Sequence, residues 1–147
     1  MKMLDRSQEI DFQEIHMPKF LVPKTLRLAN SIEVYVMEGG GQELCRLDVV
    51  FEAGSKVQDK ALQASMCNAM LFEGTGNKKG EEIHESLDFY GAYTQLDLNS
   101  DRAVVSLYTL NKYFDKVLPI FIDAIRNAAF KEDEFKVILA QKKQSFI

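Results

Sequence analysis

Apolar and polar residues alternate over Thr25-Leu26-Arg27-Leu28 and again over Ile32-Glu33-Val34-Tyr35-Val36-Met37, with Ala29-Asn30-Ser31 between the two runs. Alternation puts successive side chains on opposite faces of an extended strand, so two such runs about a short polar turn predict a β-hairpin. Gly39-Gly40-Gly41 ends it. The stretch from Leu44 to Ala53 sets Leu47, Val49 and Phe51 on one face and Val50 on the other, as expected of a strand inside a covered sheet; Gly54-Ser55 closes it. Over Lys60 to Phe72 the period lengthens: Leu62, Met66, Ala69, Met70 and Glu73 follow helical spacing, with Gly74-Thr75-Gly76 as the stop.

After the polar Lys78-Lys79-Gly80, a second helix is predicted over Glu81 to Tyr90, packing Ile83, Leu87 and one of Phe89 and Tyr90, and stopping at Gly91. Tyr93 to Leu98 alternates, Asn99-Ser100-Asp101 turns, and Arg102 to Leu110 alternates again, which is another hairpin. Asn111 suits the N-cap of a helix reaching about Ala128, with Phe114, Val117, Leu118, Phe121, Ile122 and Ile125 on its apolar face. Pro119 inside that helix should kink it or leave one carbonyl unpaired. A last helix begins near Glu132-Asp133-Glu134 and buries Phe135, Ile138, Leu139 and Phe146; its pattern is still helical at Ile147, which implies a truncated chain. Hairpins of strands with helices between them predict an α+β fold, an antiparallel-rich sheet with helices packed on one face. Residues 1–24, broken by Pro18 and Pro23, read as an irregular N-terminal arm, and residues 25–147 as the α+β domain.

Composition changes this picture little. The chain has 147 residues, 46% of them hydrophobic and 27% charged, with a formal charge of −4, so it resembles an ordinary globular domain and offers no general field for nucleic acid or an anionic membrane. Lys142-Lys143 is the one basic pair near a helix end. Cys45 and Cys67 make no disulfide framework and read as small buried hydrophobes in a reducing compartment. The charged start Met1-Lys2-Met3-Leu4-Asp5-Arg6 lacks the apolar stretch of a secretory signal, and no apolar run approaches the roughly 18 residues of a membrane span. A cytoplasmic location is expected.

The strand Val49-Val50-Phe51-Glu52-Ala53-Gly54-Ser55, followed from Ala64 by the run ending in Met70-Leu71-Phe72-Glu73-Gly74-Thr75, resembles the insulinase/pitrilysin (inverzincin) zinc metallopeptidases. In that family a strand ending in Ala-Gly-Ser leads to a helix bearing His-x-x-Glu-His, then Met-Leu-Phe, one residue, and Gly-Thr. Leu87-Asp88-Phe89-Tyr90-Gly91-Ala92, the hairpin with Asp101 at its turn, the long helix ending at Phe130 and the acidic start of the next helix are similar to the family too. The likeness covers most of residues 25–147, the N-terminal portion of a family repeat.

The resemblance implies the half-domain fold but not its chemistry. In His-x-x-Glu-His, histidines at i and i+4 share a helix face and grip zinc, and the glutamate beside them takes a proton from the metal-bound water. Aligned on Met70-Leu71-Phe72 and Gly74-Thr75, those positions hold Ser65, Asn68 and Ala69. The family's third ligand, a glutamate seventy-odd residues on, falls in Gln141-Lys142-Lys143-Gln144-Ser145-Phe146-Ile147, which has no carboxylate. Met66, Cys67 and Met70 are better read as core packing than as a soft-metal cluster, and Cys67 lies about 200° around the helix from Ser65. His16 and His84 have no partner at ligand spacing; Glu81-Glu82 and Glu132-Asp133-Glu134 suit solvated helix starts. Where catalytic relatives carry Asn-Ala on the strand that can receive a peptide by edge addition, this chain has Gln95 and Leu96.

No catalytic residue, metal ligand or cofactor is therefore expected here, and the substrate-binding residues stay unassigned. The resemblance implies a non-catalytic peptidase-like subunit that pairs with an active zinc peptidase of the same family to form a peptide-degrading chamber, with zinc held only by the active partner and without nucleic acid or membrane. Two alternatives stand beside it: a zinc metallopeptidase acting through unrecognised ligands, and a purely structural scaffolding subunit, as in the core subunits of a respiratory complex on the same fold.

Overall fold

The computed structural model describes Met17 and residues 20–144. Most of the N-terminal arm, with His16, and Phe146 at the other end lie outside the described residues. The chain divides into two compact units, the first ending at Gly41 and the second starting at Gln42. In the first, β1 (Lys24–Arg27) and β2 (Glu33–Val36) pair antiparallel, with Leu26 opposite Val34. Asn30 Oδ1 accepts the Ile32 N–H at 3.2 Å, and Ser31 takes a positive φ of 69°, which turns the chain where the polar triplet predicts it.

The second unit holds a three-stranded antiparallel sheet in the order β3 (Leu44–Phe51), β5 (Ala103–Leu110), β4 (Tyr93–Leu98). β5 is central and almost wholly buried. Its Val105 and Leu107 stand opposite Val49 and Leu47 of β3 and Leu96 and Thr94 of β4, which makes one continuous apolar face. Onto that face pack α1 (Gln63–Ala69), α2 (Gly80–Phe89) and α3 (Phe114–Arg126). Ile83 and Leu87 of α2, Val117, Phe121 and Ala124 of α3, and Phe72 make the core, with the Phe72 and Phe121 rings 5.9 Å apart. A smaller cluster joins Met66 and Met70 to Ile138 of α4 (Glu132–Gln144). This is the α+β arrangement the patterning predicts.

Three details differ from the sequence reading. Among the described residues β3 is an edge strand and not an interior one: it pairs there with β5 alone, and Val50, on the face away from the helices, is half exposed. The first helix is shorter than residues 60–72, because Leu62 takes a left-handed φ of 68° just ahead of it. Its first turn is secured by glutamines instead: Gln58 Oε1 accepts the Ala64 N–H, and Gln63 Oε1 accepts the N–H groups of Asp59 and Lys60. Asn111 caps nothing with its side chain; it opens a 3₁₀ turn (Asn111–Tyr113) ahead of α3 and is tied by its own N–H to the Glu43 carbonyl at 3.0 Å. Pro119 sits on the exposed side of α3, which runs on as a single helix past it; having no N–H, it leaves the Asp115 carbonyl without its helical donor, one of the two outcomes expected.

Two short motifs gain a structural explanation. At the end of β3, Gly54, Ser55 and Lys56 donate their N–H groups to the carbonyls of Asp101, Asn99 and Ser100, laying this segment against the β4–β5 turn. A Cβ at Gly54 would stand 2.3 Å from the Ser100 carbonyl oxygen, a contact with backbone that cannot swing aside. At Gly74 the φ of 140° needs glycine, and the buried Thr75 hydroxyl next to it accepts the N–H groups of Asn77 and Lys78.

The sheet face away from the helices is polar and aromatic. Tyr93 and Tyr108 stack at 4.5 Å, the Arg46 guanidinium lies 5.1 Å from the Tyr108 ring centroid, and Arg46 Nε donates to Asp48 at 2.8 Å. Partial burial pushes the Asp48 carboxyl up, but hydrogen bonds from Arg46 and Ser106 and the Arg46 charge outweigh it, leaving the group below its ordinary value.

Gly54→Ala is expected to lower stability by about 1–3 kcal/mol, the range of overpacking, seen as a lower urea midpoint with unchanged slope. For Asp48 the folded-state pKa is depressed, so its contribution is present above the unfolded-state value and lost as pH falls through the folded one. Arg46→Met should move the Asp48 titration, followed by carboxyl NMR, toward higher pH and make the loss of stability on acidification smaller, because the gap between the folded- and unfolded-state values narrows.

Candidate functional site

The site to test is the face of α1 where the resemblance would put a metal. Ser65 and Ala69 lie one helical turn apart and Asn68 stands between them, the arrangement that would bring two ligands and a base together. α1 is held from two sides. From α4, Lys142 donates from Nζ to Ser65 Oγ at 2.8 Å, across 77 positions of sequence. Toward the sheet, Asn68 Nδ2 donates to the Asp97 carbonyl oxygen of β4 at 3.2 Å. β4 is the outer strand on that side, so this bond takes up part of the edge at which a peptide would add.

These groups do not fit a zinc ion. Zinc in proteins takes thiolate, imidazole or carboxylate donors; a serine hydroxyl bonded to an ammonium, a neutral amide and a methyl are none of these. Among the described residues, no three His, Cys, Asp or Glu side chains converge to hold a metal. The zinc chemistry of the family therefore has no route through these side chains.

The remaining candidates fall as follows. His84 is exposed on α2, and Glu81 and Glu82 occupy its first turn, where Glu82 accepts the Lys79 N–H at 2.7 Å. Glu132, Asp133 and Glu134 open α4. On β4, Leu96 turns toward the core, while Gln95 is exposed and donates from Nε2 to Asp97 at 2.9 Å. The cysteines depart from expectation: Cys45 is half buried and Cys67 is exposed. Cys67 points away from the Met66–Met70–Ile138 cluster, and the helical period that carries it off the Ser65 face leaves it at the rim of two hollows beside α1.

One hollow, of about 310 Å³, lies among the end of β3, the segment after it, α1 and Ile125 of α3. The other, of about 640 Å³, lies between α1 and α4 and is lined by Met66, Met70, Phe130, Phe135 and Leu139 among others. Two functional features were missed in the sequence reading. Lys142 was noted only as a basic pair with Lys143, and its contact with Ser65 depends on how α4 folds back. Asn68 was set aside as a group that does not titrate, yet it is buried with its Oδ1 lacking a hydrogen-bond partner among the described residues.

Comparison with known proteins agrees with this fold. Residues 34–145 match the model of the family described as Insulinase (Peptidase family M16). The chain belongs to that family. Among solved structures it is similar to a peptidase M16 inactive domain from Pseudomonas fluorescens, with 27% identity and a TM-score of 0.76 over 82% of this chain and 30% of that one. It also shares its fold with a protease from Helicobacter pylori, at 21% identity and a TM-score of 0.74 over 85% of this chain and 32% of that one. The chain thus spans about a third of the length of these structures. No curated protein matches it.

If Lys142 and Ser65 act as a pair, Lys142→Met and Ser65→Ala should each cost about 1–2 kcal/mol in urea unfolding, and the double variant should cost less than the sum by about 1 kcal/mol. Strict additivity would show that the contact contributes nothing.

Proposed function

We propose that this chain is part of a non-catalytic, peptidase-like subunit that pairs with an active zinc peptidase of the same family to form a peptide-degrading chamber. The observation that carries the proposal is the lysine ammonium bonded to Ser65, 2.8 Å away, where the family places its first metal ligand. A fold that keeps the family's core, its Ala53-Gly54-Ser55 strand end and its Gly74-Thr75 turn, but not its ligands, retains shape without the chemistry. The similarity to a domain called inactive supports the same reading. On it the subunit supplies wall and contact surface in a heterodimer, zinc belongs to the partner, the substrate is peptide, and the assembly works in the cytoplasm. No described helix is long and apolar enough to cross a membrane, which is consistent with that placement.

Two measurements test this. Metal analysis of the purified protein should find zinc well below one equivalent, with no cleavage of a peptide library; stoichiometric zinc with turnover would overturn the proposal in favour of an active enzyme with other ligands. Affinity capture of the full-length protein from its source cell should recover a family member bearing an intact His-x-x-Glu-His. Capture of a stable assembly without any peptidase would instead make it a scaffolding subunit.

A further inference from the structure

β3 offers the longest unpaired strand edge among the described residues: its eight residues pair there with β5 alone, in unbroken register from Leu44 opposite Leu110 to Phe51 opposite Ala103. The Asn111 N–H donates to the Glu43 carbonyl at 3.0 Å, which makes those two a hydrogen-bonded pair of the ladder one step beyond Leu44. Such pairs alternate along an antiparallel strand, so Cys45, Leu47, Val49 and Phe51 turn their backbone groups to β5. The N–H and C=O groups of Leu44, Arg46, Asp48 and Val50 therefore point away from the sheet, a template for another strand. Neither a proline nor a bulge interrupts this row.

The side chains along this edge are matched to themselves about Leu47. Laid antiparallel beside a second copy with Leu47 opposite Leu47, the strand sets Arg46 opposite Asp48 and Leu44 opposite Val50, each twice by symmetry, and Cys45 opposite Val49. Opposite charges then meet on the face away from the helices, and Leu44 and Val50, 49% and 50% exposed in the single chain, cover each other there. In the same register the outward-pointing residues oppose one another, so their N–H and C=O groups all find partners. A slip of one residue sets outward backbone groups against inward ones. A slip of two sets Arg46 opposite Arg46 or Asp48 opposite Asp48, and like charges directly opposite are destabilising. The strand thus selects both its occupant and a single register.

We infer that β3 is a docking edge for a second copy of this chain, which joins two three-stranded sheets into one about a twofold axis at Leu47. The inference does not depend on the chain being a non-catalytic subunit. A single strand edge buries less surface than a standard interface, so the dimer is a weak one.

Sedimentation equilibrium of the purified chain should show a monomer–dimer equilibrium with a dissociation constant of roughly 10 μM to 1 mM. Arg46→Asp sets carboxylates opposite each other on both sides of the axis and should raise that constant at least about tenfold; Asp48→Arg should do the same with two guanidinium groups. The double exchange R46D/D48R restores opposite charges and should return the constant to within about threefold of the unmodified chain. Register is read separately by Leu44→Cys combined with Val50→Cys, at two exposed positions too far apart along one strand to bridge. Mild oxidation should lock this variant as a covalent dimer whose peptide map joins position 44 of one copy to position 50 of the other. A monomer at every concentration up to roughly 1 mM, a dimer indifferent to the single charge changes, a folded double exchange that stays weakened, or a map joining position 44 to position 44 would each overturn the inference. Sedimentation of the unmodified chain and the cross-link decide the matter whether or not the charge variants fold.

Discussion

The placement of α1 between the outer strand of the sheet and α4 governs what this protein can do. Its seat is made by the Met66–Met70–Ile138 cluster, by the amide of Asn68 on the β4 backbone, and by the Lys142 ammonium on Ser65. In a metallopeptidase the corresponding helix is joined to later chain through a shared metal ion. Here the same two helices meet through a lysine and a hydroxyl. That contact joins the two helices without offering zinc a donor of the customary kind at the Ser65 position.

That exchange explains which family features persist. Gly54 is needed because backbone of the β4–β5 turn lies where a Cβ would go, and Gly74 because its φ is positive. Phe72 is buried against Phe121 in the main core. All three serve packing or chain direction and remain under constraint whether or not a metal is bound. Ser65, Asn68 and Ala69 answer only to chemistry and to local fit, and there the chain has departed from the ligand pattern.

The departure leaves its own trace. A glutamate acting as a base needs access to water, whereas the amide at position 68 is enclosed and only half satisfied. Its nitrogen secures the β4 edge; its oxygen is buried without a hydrogen-bond partner among the described residues.

Local pattern was enough to find every strand and α-helix of the described residues, because alternation and helical spacing are properties of neighbours in sequence. Matching short motifs in order was likewise enough to locate Ser65, Asn68 and Ala69 and to see that none is a customary zinc ligand. What local pattern could not carry was the pairing of distant segments. Whether Val50 is covered depends on which strand lies beside β3, and nothing within Leu44–Phe51 records that it is an edge. The burial expected of Cys67 failed for the same reason: its neighbours along the helix are apolar, but the packing of α4 covers Met66 and Met70 and stops short of it. The contact of Lys142 with Ser65 and the stranded oxygen of Asn68 arise only when the chain returns on itself, since a hydrogen bond depends on distances between groups that sequence spacing does not fix.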